Sequence, residues 1–146
     1  MKILVLGGDG YLGWPTAMHF AASGDEVWIA DNFAKRKWEL EDGIEPLLPT
    51  PTLHRRVQCW NTSGSGSEIR MKVGDLINHR FVYNLFREVQ PDTIVHYAEQ
   101  PSALFHAKQG GRGNDPAQQC YRQPESVIRH ATALPRCAPD QARHHG

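Results

Sequence analysis

Cysteine is scarce, and the three present, Cys59, Cys120 and Cys137, are odd in number and share no short ligand spacing. That argues against a disulfide framework and against a thiolate zinc site, so no metal is expected. A surplus of charge of one sign is also lacking. Lysine plus arginine total 16 and aspartate plus glutamate total 16 in a chain of 146 residues. Without a net field to recruit polyanions, neither nucleic acid nor an anionic membrane is an expected partner. No apolar run approaches the ~20 residues of a membrane span. Met1-Lys2 leads directly into Ile3-Leu4-Val5-Leu6, which leaves no room for a signal peptide. A cytoplasmic chain of at most one domain is the expectation.

What is present is a regular alternation of short apolar runs and helical stretches. Residues 2–6 form an apolar run ending in glycines, the pattern of a strand buried on both faces of a parallel sheet. From Tyr11 the positions Leu12, Ala17, Met18, Phe20 and Ala21 fit a helix laid on that sheet. Pro15 is tolerated in its first turn, and Gly24 stands where a left-handed cap is expected. Glu26-Val27-Trp28-Ile29-Ala30 reads as a second strand ending at Asp31, which completes a βαβ unit. Residues 33–42 can form a helix. Pro46, Pro49, Pro51 and the polar stretch from Asn61 to Ser67 then read as an insertion loop region, about 33–67 in all. A third strand follows at Ile69–Val73, closed by Gly74-Asp75. A helix then carries Phe81, Val82, Leu85, Phe86 and Val89, and a fourth strand runs from Thr93 to Tyr97.

The chemistry lies at the turn after the first strand. Gly7-Gly8-Asp9-Gly10-Tyr11-Leu12-Gly13 repeats glycine every three residues between a strand and a helix. The first glycine permits the tight turn, Gly10 lets backbone approach a pyrophosphate, and Gly13 allows close packing. The helix N-terminus offers unpaired N–H groups to the anion. Asp31 ends the second strand, where a carboxylate accepts hydrogen bonds from adenosine ribose hydroxyls and repels a 2′-phosphate. NAD is therefore the expected cofactor rather than NADP, with Lys35 and Arg36 close enough to temper that preference. Its expected contacts are Gly7, Gly10, Tyr11, Leu12, Gly13, Asp31, Asn32 and Arg36, with Asp75 and Leu76 beside the adenine. Two of these have a plainer reading: Arg36, with Lys35, as a solvated helix face, and Asp75 as a helix N-cap. The fold class is α/β, an incomplete Rossmann doubly wound parallel sheet. Its first four strands lie in the order 3-2-1-4, and an irregular C-terminal tail follows.

Gly7-Gly8-Asp9-Gly10-Tyr11-Leu12-Gly13-Trp14, Asp31-Asn32, Leu53 to Arg56, Gly74-Asp75 and His96-Tyr97-Ala98-Glu99-Gln100 together resemble the extended short-chain dehydrogenase/reductases. Within that NAD-dependent epimerase/dehydratase family they are similar to the UDP-sulfoquinovose synthases, over residues 1–103. The resemblance implies NAD as a tightly held cofactor and UDP-glucose as the sugar-nucleotide partner. It implies oxidation of a sugar hydroxyl, addition of sulfite to the unsaturated ketone, and return of the hydride. It places Glu99, Gln100 and Ser102 near the sugar nucleotide, and a homodimeric parent enzyme is among its implications. His96 reads better as a packed strand-end histidine than as a catalytic base.

The family draws its base from a Tyr-x-x-x-Lys pair and a strand-five serine or threonine, and neither is visible after the fourth strand. No catalytic residue is therefore assigned. Residues 104–146 show no sustained period of two or 3.6, and their sparse apolar side chains would not repay the entropy of ordering them. Read one nucleotide forward, the codons for Gln118 to Ala131 permit Asn-Asn-Val-Ile-Gly-Asn-Leu, a string similar to the family's next helix. Those for Pro135 to Gly146 permit a strand followed by Gly-Thr-Met, with the threonine encoded across His144 and His145. An aberrant, frameshifted, disordered tail from about residue 104 is the expectation, with the fourth strand left as an aggregation-prone edge and the chain inactive. The alternatives are an epimerase or dehydratase completed by a second chain, and a non-catalytic NAD-binding module.

Overall fold

The computed structural model describes residues 1–98. The expectations for Glu99, Gln100, Ser102 and the 104–146 tail lie outside the described residues. Along the chain the elements are β1 (Lys2–Leu6), α1 (Gly13–Ala22), β2 (Glu26–Asp31), α2 (Ala34–Glu41), α3 (Leu53–Ser63), β3 (Ile69–Val73), α4 (His79–Val89) and β4 (Thr93–His96). The strands are parallel in the order β3-β2-β1-β4, as expected for the first half of a Rossmann sheet.

β1 lies between two neighbours and two helical layers, and Ile3, Leu4, Val5 and Leu6 are all fully buried. Because side chains alternate across a strand, Ile3 and Val5 face one layer and Leu4 and Leu6 the other. The first layer joins Ile3, Val5, Val27, Ile29 and Ile69 to Ala17 and Ala21 of α1 and Leu53 of α3. Two alanines four residues apart bring α1 close to the sheet. The second layer sets Leu4, Leu6 and Ala30 against Val82, Leu85, Phe86 and Val89 of α4. Their i, i+3, i+4, i+7 spacing is the buried stripe of an amphipathic helix. Each such side chain contributes roughly 1.5–3 kcal/mol.

The helix boundaries follow local chemistry. Gly24 adopts φ +91 just after α1, as its position suggested. Asn78 accepts hydrogen bonds from the N–H groups of Arg80 and Phe81 and so caps α4. Asp75 is therefore not that helix's cap, and its Oδ1 instead accepts from Ile77 N at 3.0 Å within the turn before it. The region expected as an insertion loop holds a regular helix, α3, opened by Thr52 and closed by Gly64 at φ +65. Leu53, Val57 and Trp60 recur at helical spacing and anchor it to the core. The helix is legible once the apolar positions are weighed above the neighbouring prolines and serines.

Candidate functional site

The loop between β1 and α1 is held by its own backbone. Gly7 N donates to Ala30 O at 2.8 Å, and Gly10 N donates to Gly7 O at 3.3 Å. Gly7 has φ +86, and a Cβ there would lie 2.7 Å from Ala98 N, where the chain leaving β4 passes by. A Cβ on Gly13 would be driven into the Gly7 carbonyl, so α1 begins in contact with the loop itself. Gly10 is different. A Cβ there would meet only Gly7 O, at 3.4 Å, which leaves its outer side open to a ligand.

The N-terminus of α1 lies directly behind this loop. Leu12 makes no side-chain cap bond, as Phe33 makes none at the start of α2, whereas Thr52 caps α3 and Asn78 caps α4. A helix start with no capping side chain and a positive dipole end suits a pyrophosphate. Tyr11 and Leu12 stand exposed beside it. The residues present thus fit the diphosphate of a dinucleotide.

Asp31, at the end of β2, is tied to this loop. Its Oδ2 accepts from Asp9 N at 2.8 Å, and its Oδ1 accepts from Phe33 N at 2.7 Å. Burial pushes the Asp31 carboxyl above its ordinary range, and the donated N–H bonds offset this only in part. Asn32 turns its Oδ1 to Ala34 N and starts α2. The Asp75 carboxylate is exposed after β3, and Leu76 is half-buried against the α4 layer. The structure thus gathers Gly7, Gly10, Tyr11, Leu12, Gly13 and Asp31 at one end of the sheet. Asn32 and Arg36 belong to the segment that follows.

Arg36 does not lie on a solvated face. Its Nε and Nη2 grip the Asp9 carboxylate, its Nη2 also donates to Pro51 O at 2.9 Å, and its Nη1 donates to Thr50 O at 3.2 Å. Lys35 does take the solvated role, paired with Glu39. Arg56 of α3 donates to Asp9 O at 3.0 Å and to Asp9 Oδ1, and its guanidinium lies 5.1 Å from the centre of the Trp14 ring. Sequence reasoning left Asp9 and Arg56 out of the site. The available signal was a charged residue inside a glycine-rich loop, which needs a counter-charge if an anion is to approach. Among the described residues no group of His, Cys, Asp or Glu could hold a metal ion, and no helix is long and apolar enough to cross a membrane.

The family model described as "NAD dependent epimerase/dehydratase family" matches residues 3–111. The chain is 36% identical over 104 residues to the chloroplastic UDP-sulfoquinovose synthase of Spinacia oleracea, covering 71% of this chain and 21% of that protein. It is 42% identical over 105 residues to the UDP-sulfoquinovose synthase of Sulfolobus acidocaldarius, covering 72% and 26%. The chain therefore spans about a fifth to a quarter of the length of these curated relatives. Among solved structures, a UDP-glucose 4-epimerase from Stenotrophomonas maltophila, with bound NAD and formylated UDP-arabinopyranose, matches with TM-score 0.62 at 19% identity. That match covers 90% of this chain and 33% of the other, and it is a likeness of fold. The glycine cradle, the strand order and the match over residues 3–111 agree, and the chain belongs to the NAD-dependent epimerase/dehydratase family.

Proposed function

We propose that residues 1–98 form the adenosine and pyrophosphate side of an NAD site in a sugar-nucleotide-modifying enzyme similar to UDP-sulfoquinovose synthase. The carrying observation is the uncapped start of α1 behind Gly7, Gly10 and Gly13, with the Asp31 carboxylate bonded directly to that loop through Asp9 N. In this reading the backbone N–H groups of Tyr11, Leu12 and Gly13 hold the pyrophosphate, since Trp14 N already donates to Gly10 O at 3.2 Å and Pro15 has no N–H. Asp31 accepts from the ribose hydroxyls, Asn32 and Arg36 shape the segment beside the ribose, and Asp75 and Leu76 flank the adenine. NAD, when bound, supplies the hydride acceptor. The chain's residues position its adenosine half.

UDP-glucose is the proposed sugar nucleotide, supported by the two synthase relatives at 36% and 42% identity. Glu99, Gln100 and Ser102 are its proposed neighbours, and sulfite is the proposed co-substrate. Residues 1–103 are proposed as the nucleotide-binding unit. Residues 104–146 are proposed to be family sequence read out of frame, a reading that rests on the strings their codons permit one nucleotide forward; the family match itself runs to residue 111. Sequencing the locus tests this: DNA unable to encode the Asn-Asn-x-x-Gly and Gly-Thr-Met strings one nucleotide forward would refute it.

Calorimetric titration of the full chain with NAD, followed by an assay with UDP-glucose and sulfite, tests the functional reading. Weak binding carried by the adenosine side, with no turnover, is the expected result, because no Tyr-x-x-x-Lys pair occurs in residues 1–146. Micromolar NAD affinity with turnover of the sugar nucleotide would overturn the inactivity. No NAD affinity at all would overturn the site.

A further inference from the structure

A phosphate on the adenosine 2′-oxygen would enter beside the Asp31 carboxylate, and sites that accept it provide a cation there. This site already contains two. Asp9 N donates to Asp31 Oδ2 at 2.8 Å, and the side chain of the same Asp9 carries the guanidinium groups of both Arg36 and Arg56. The cations stand one residue away from the carboxylate that would meet the ribose. Both, however, are already held on the Asp9 carboxylate. Arg36 makes a two-point fork on Asp9 and donates to the carbonyls of Pro51 and Thr50, which uses four of a guanidinium's five N–H groups. Arg56 gives Nη2 to the backbone and carboxylate oxygens of Asp9, its guanidinium lies 5.1 Å from the centre of the Trp14 ring, and its Nε is buried without a hydrogen-bond partner, out of reach of a ligand in solvent.

The Asp9 side chain is only 8% exposed, so solvent and salt screen these pairs little. The charges of Asp9, Asp31, Arg36 and Arg56 sum to zero. A dianionic 2′-phosphate arriving at Asp31 would find repulsion and only cations already paired with Asp9, whereas the neutral hydroxyl of NAD loses nothing.

Building on the NAD reading above, we propose that Asp9 is a specificity-determining residue: by holding Arg36 and Arg56 on its own carboxylate it keeps them from a 2′-phosphate and makes the site select NAD over NADP. Asp31 supplies the repulsion and Asp9 withholds the compensation. The arrangement also explains how an acidic residue is tolerated inside a pyrophosphate loop. Its charge is cancelled twice from the inserted segment, at separations of 27 and 47 residues along the chain.

The test titrates the full chain with NAD and with NADP and reads the ratio of the two affinities, in the unsubstituted protein, Asp9→Asn, Arg36→Met and the double variant. Asp9→Asn is expected to move the ratio toward NADP by about tenfold, the effect of one uncompensated cation near a dianion. Adding Arg36→Met should remove most of that gain. Arg36→Met alone should move the ratio the other way, because Asp9 then keeps part of its charge uncancelled. Adenosine 2′,5′-bisphosphate against 5′-AMP reads the same ratio without the nicotinamide half.

A purely structural clamp would weaken both ligands in parallel, and an unchanged ratio in Asp9→Asn overturns the proposal. Should Asp9→Asn fail to fold, an unchanged ratio in Arg36→Met overturns it equally. An unsubstituted chain with no affinity for NAD or 5′-AMP would overturn the NAD site itself, and this inference with it. That outcome is distinct from a site that binds NAD but whose selectivity ignores Asp9.

Discussion

Asp31 joins the loop to the end of β2 and carries the pH dependence of the site. Its folded carboxyl titrates above the ordinary range, chiefly because it is buried. The folded chain therefore binds a proton more readily there than the unfolded chain does. Between the ordinary and the raised value, acidification favours the fold through this group, opposite to the usual carboxylate. Ribose hydroxyls donate to the charged form, so NAD should pull the same pKa down. Binding at mildly acidic pH is then expected to release a proton, and affinity to fall as pH drops through the raised value. Calorimetry in two buffers of different ionisation enthalpy checks this, and no proton release would remove Asp31 from the ribose.

Gly13 gives a second prediction at this scale. Gly13→Ala would press a methyl group into the Gly7 carbonyl, where backbone cannot yield as a flexible side chain would. A loss of about 1–3 kcal/mol or more in urea unfolding is expected, with loss of NAD binding. Gly10→Ala, facing open space, should keep stability and lose only the ligand. The glycine spacing was legible in the sequence because each glycine serves a contact within a few residues of itself. The counter-charges of Asp9 were not, because nothing local indicates which of the chain's many arginines will reach it.

Among the elements, α3 does the least expected work. It positions Arg56, and it also covers the outer side of β3, which pairs only with β2 among the described strands. Asn61 donates from Nδ2 to Ile69 O at 2.9 Å and accepts at Oδ1 from Ile69 N at 2.9 Å. A side-chain amide thus takes the place of a neighbouring strand on an otherwise open edge. Trp60 adds a bond from its indole N–H to Ser67 O at 3.0 Å. Asn61→Ala should cost about 1–3 kcal/mol, with faster amide hydrogen exchange at Ile69 as the specific signature. Leu53→Ala, which empties a fully buried position, should cost about 2–5 kcal/mol and loosen Arg56 with it. The prolines before α3 and the serines after it masked this helix. The apolar spacing of Leu53, Val57 and Trp60 was the better guide, since burial outweighs weak local propensity.

Across the whole molecule, stability should fall outward from β1. That strand is paired on both sides, with Leu6 O accepting from Tyr97 N at 2.8 Å beyond its last β4 partner. β4 borders only β1 among the described strands, and its side chains Ile94, Val95 and His96 are half-buried. Native-state hydrogen exchange is expected to rank β1 as most protected, then β2, with β4 opening before β3 because Asn61 staples the latter. Equal protection of β3 and β4 would show that the staple adds nothing.

The sequence alone determined the strands and their parallel order, the glycine cradle and the carboxylate at the end of β2. These rest on short-range patterns: apolar runs, helical spacing, and turns that only glycine permits. Tertiary structure alone decided that Asp9 is paired, that Arg36 and Arg56 are the residues pairing it, and that α3 closes the edge of β3. Those contacts depend on how a long inserted segment folds back. That return is driven by burying Leu53 and Trp60 against the sheet, a non-directional force whose outcome is set by the assembled surface and by no pattern within the segment's charges.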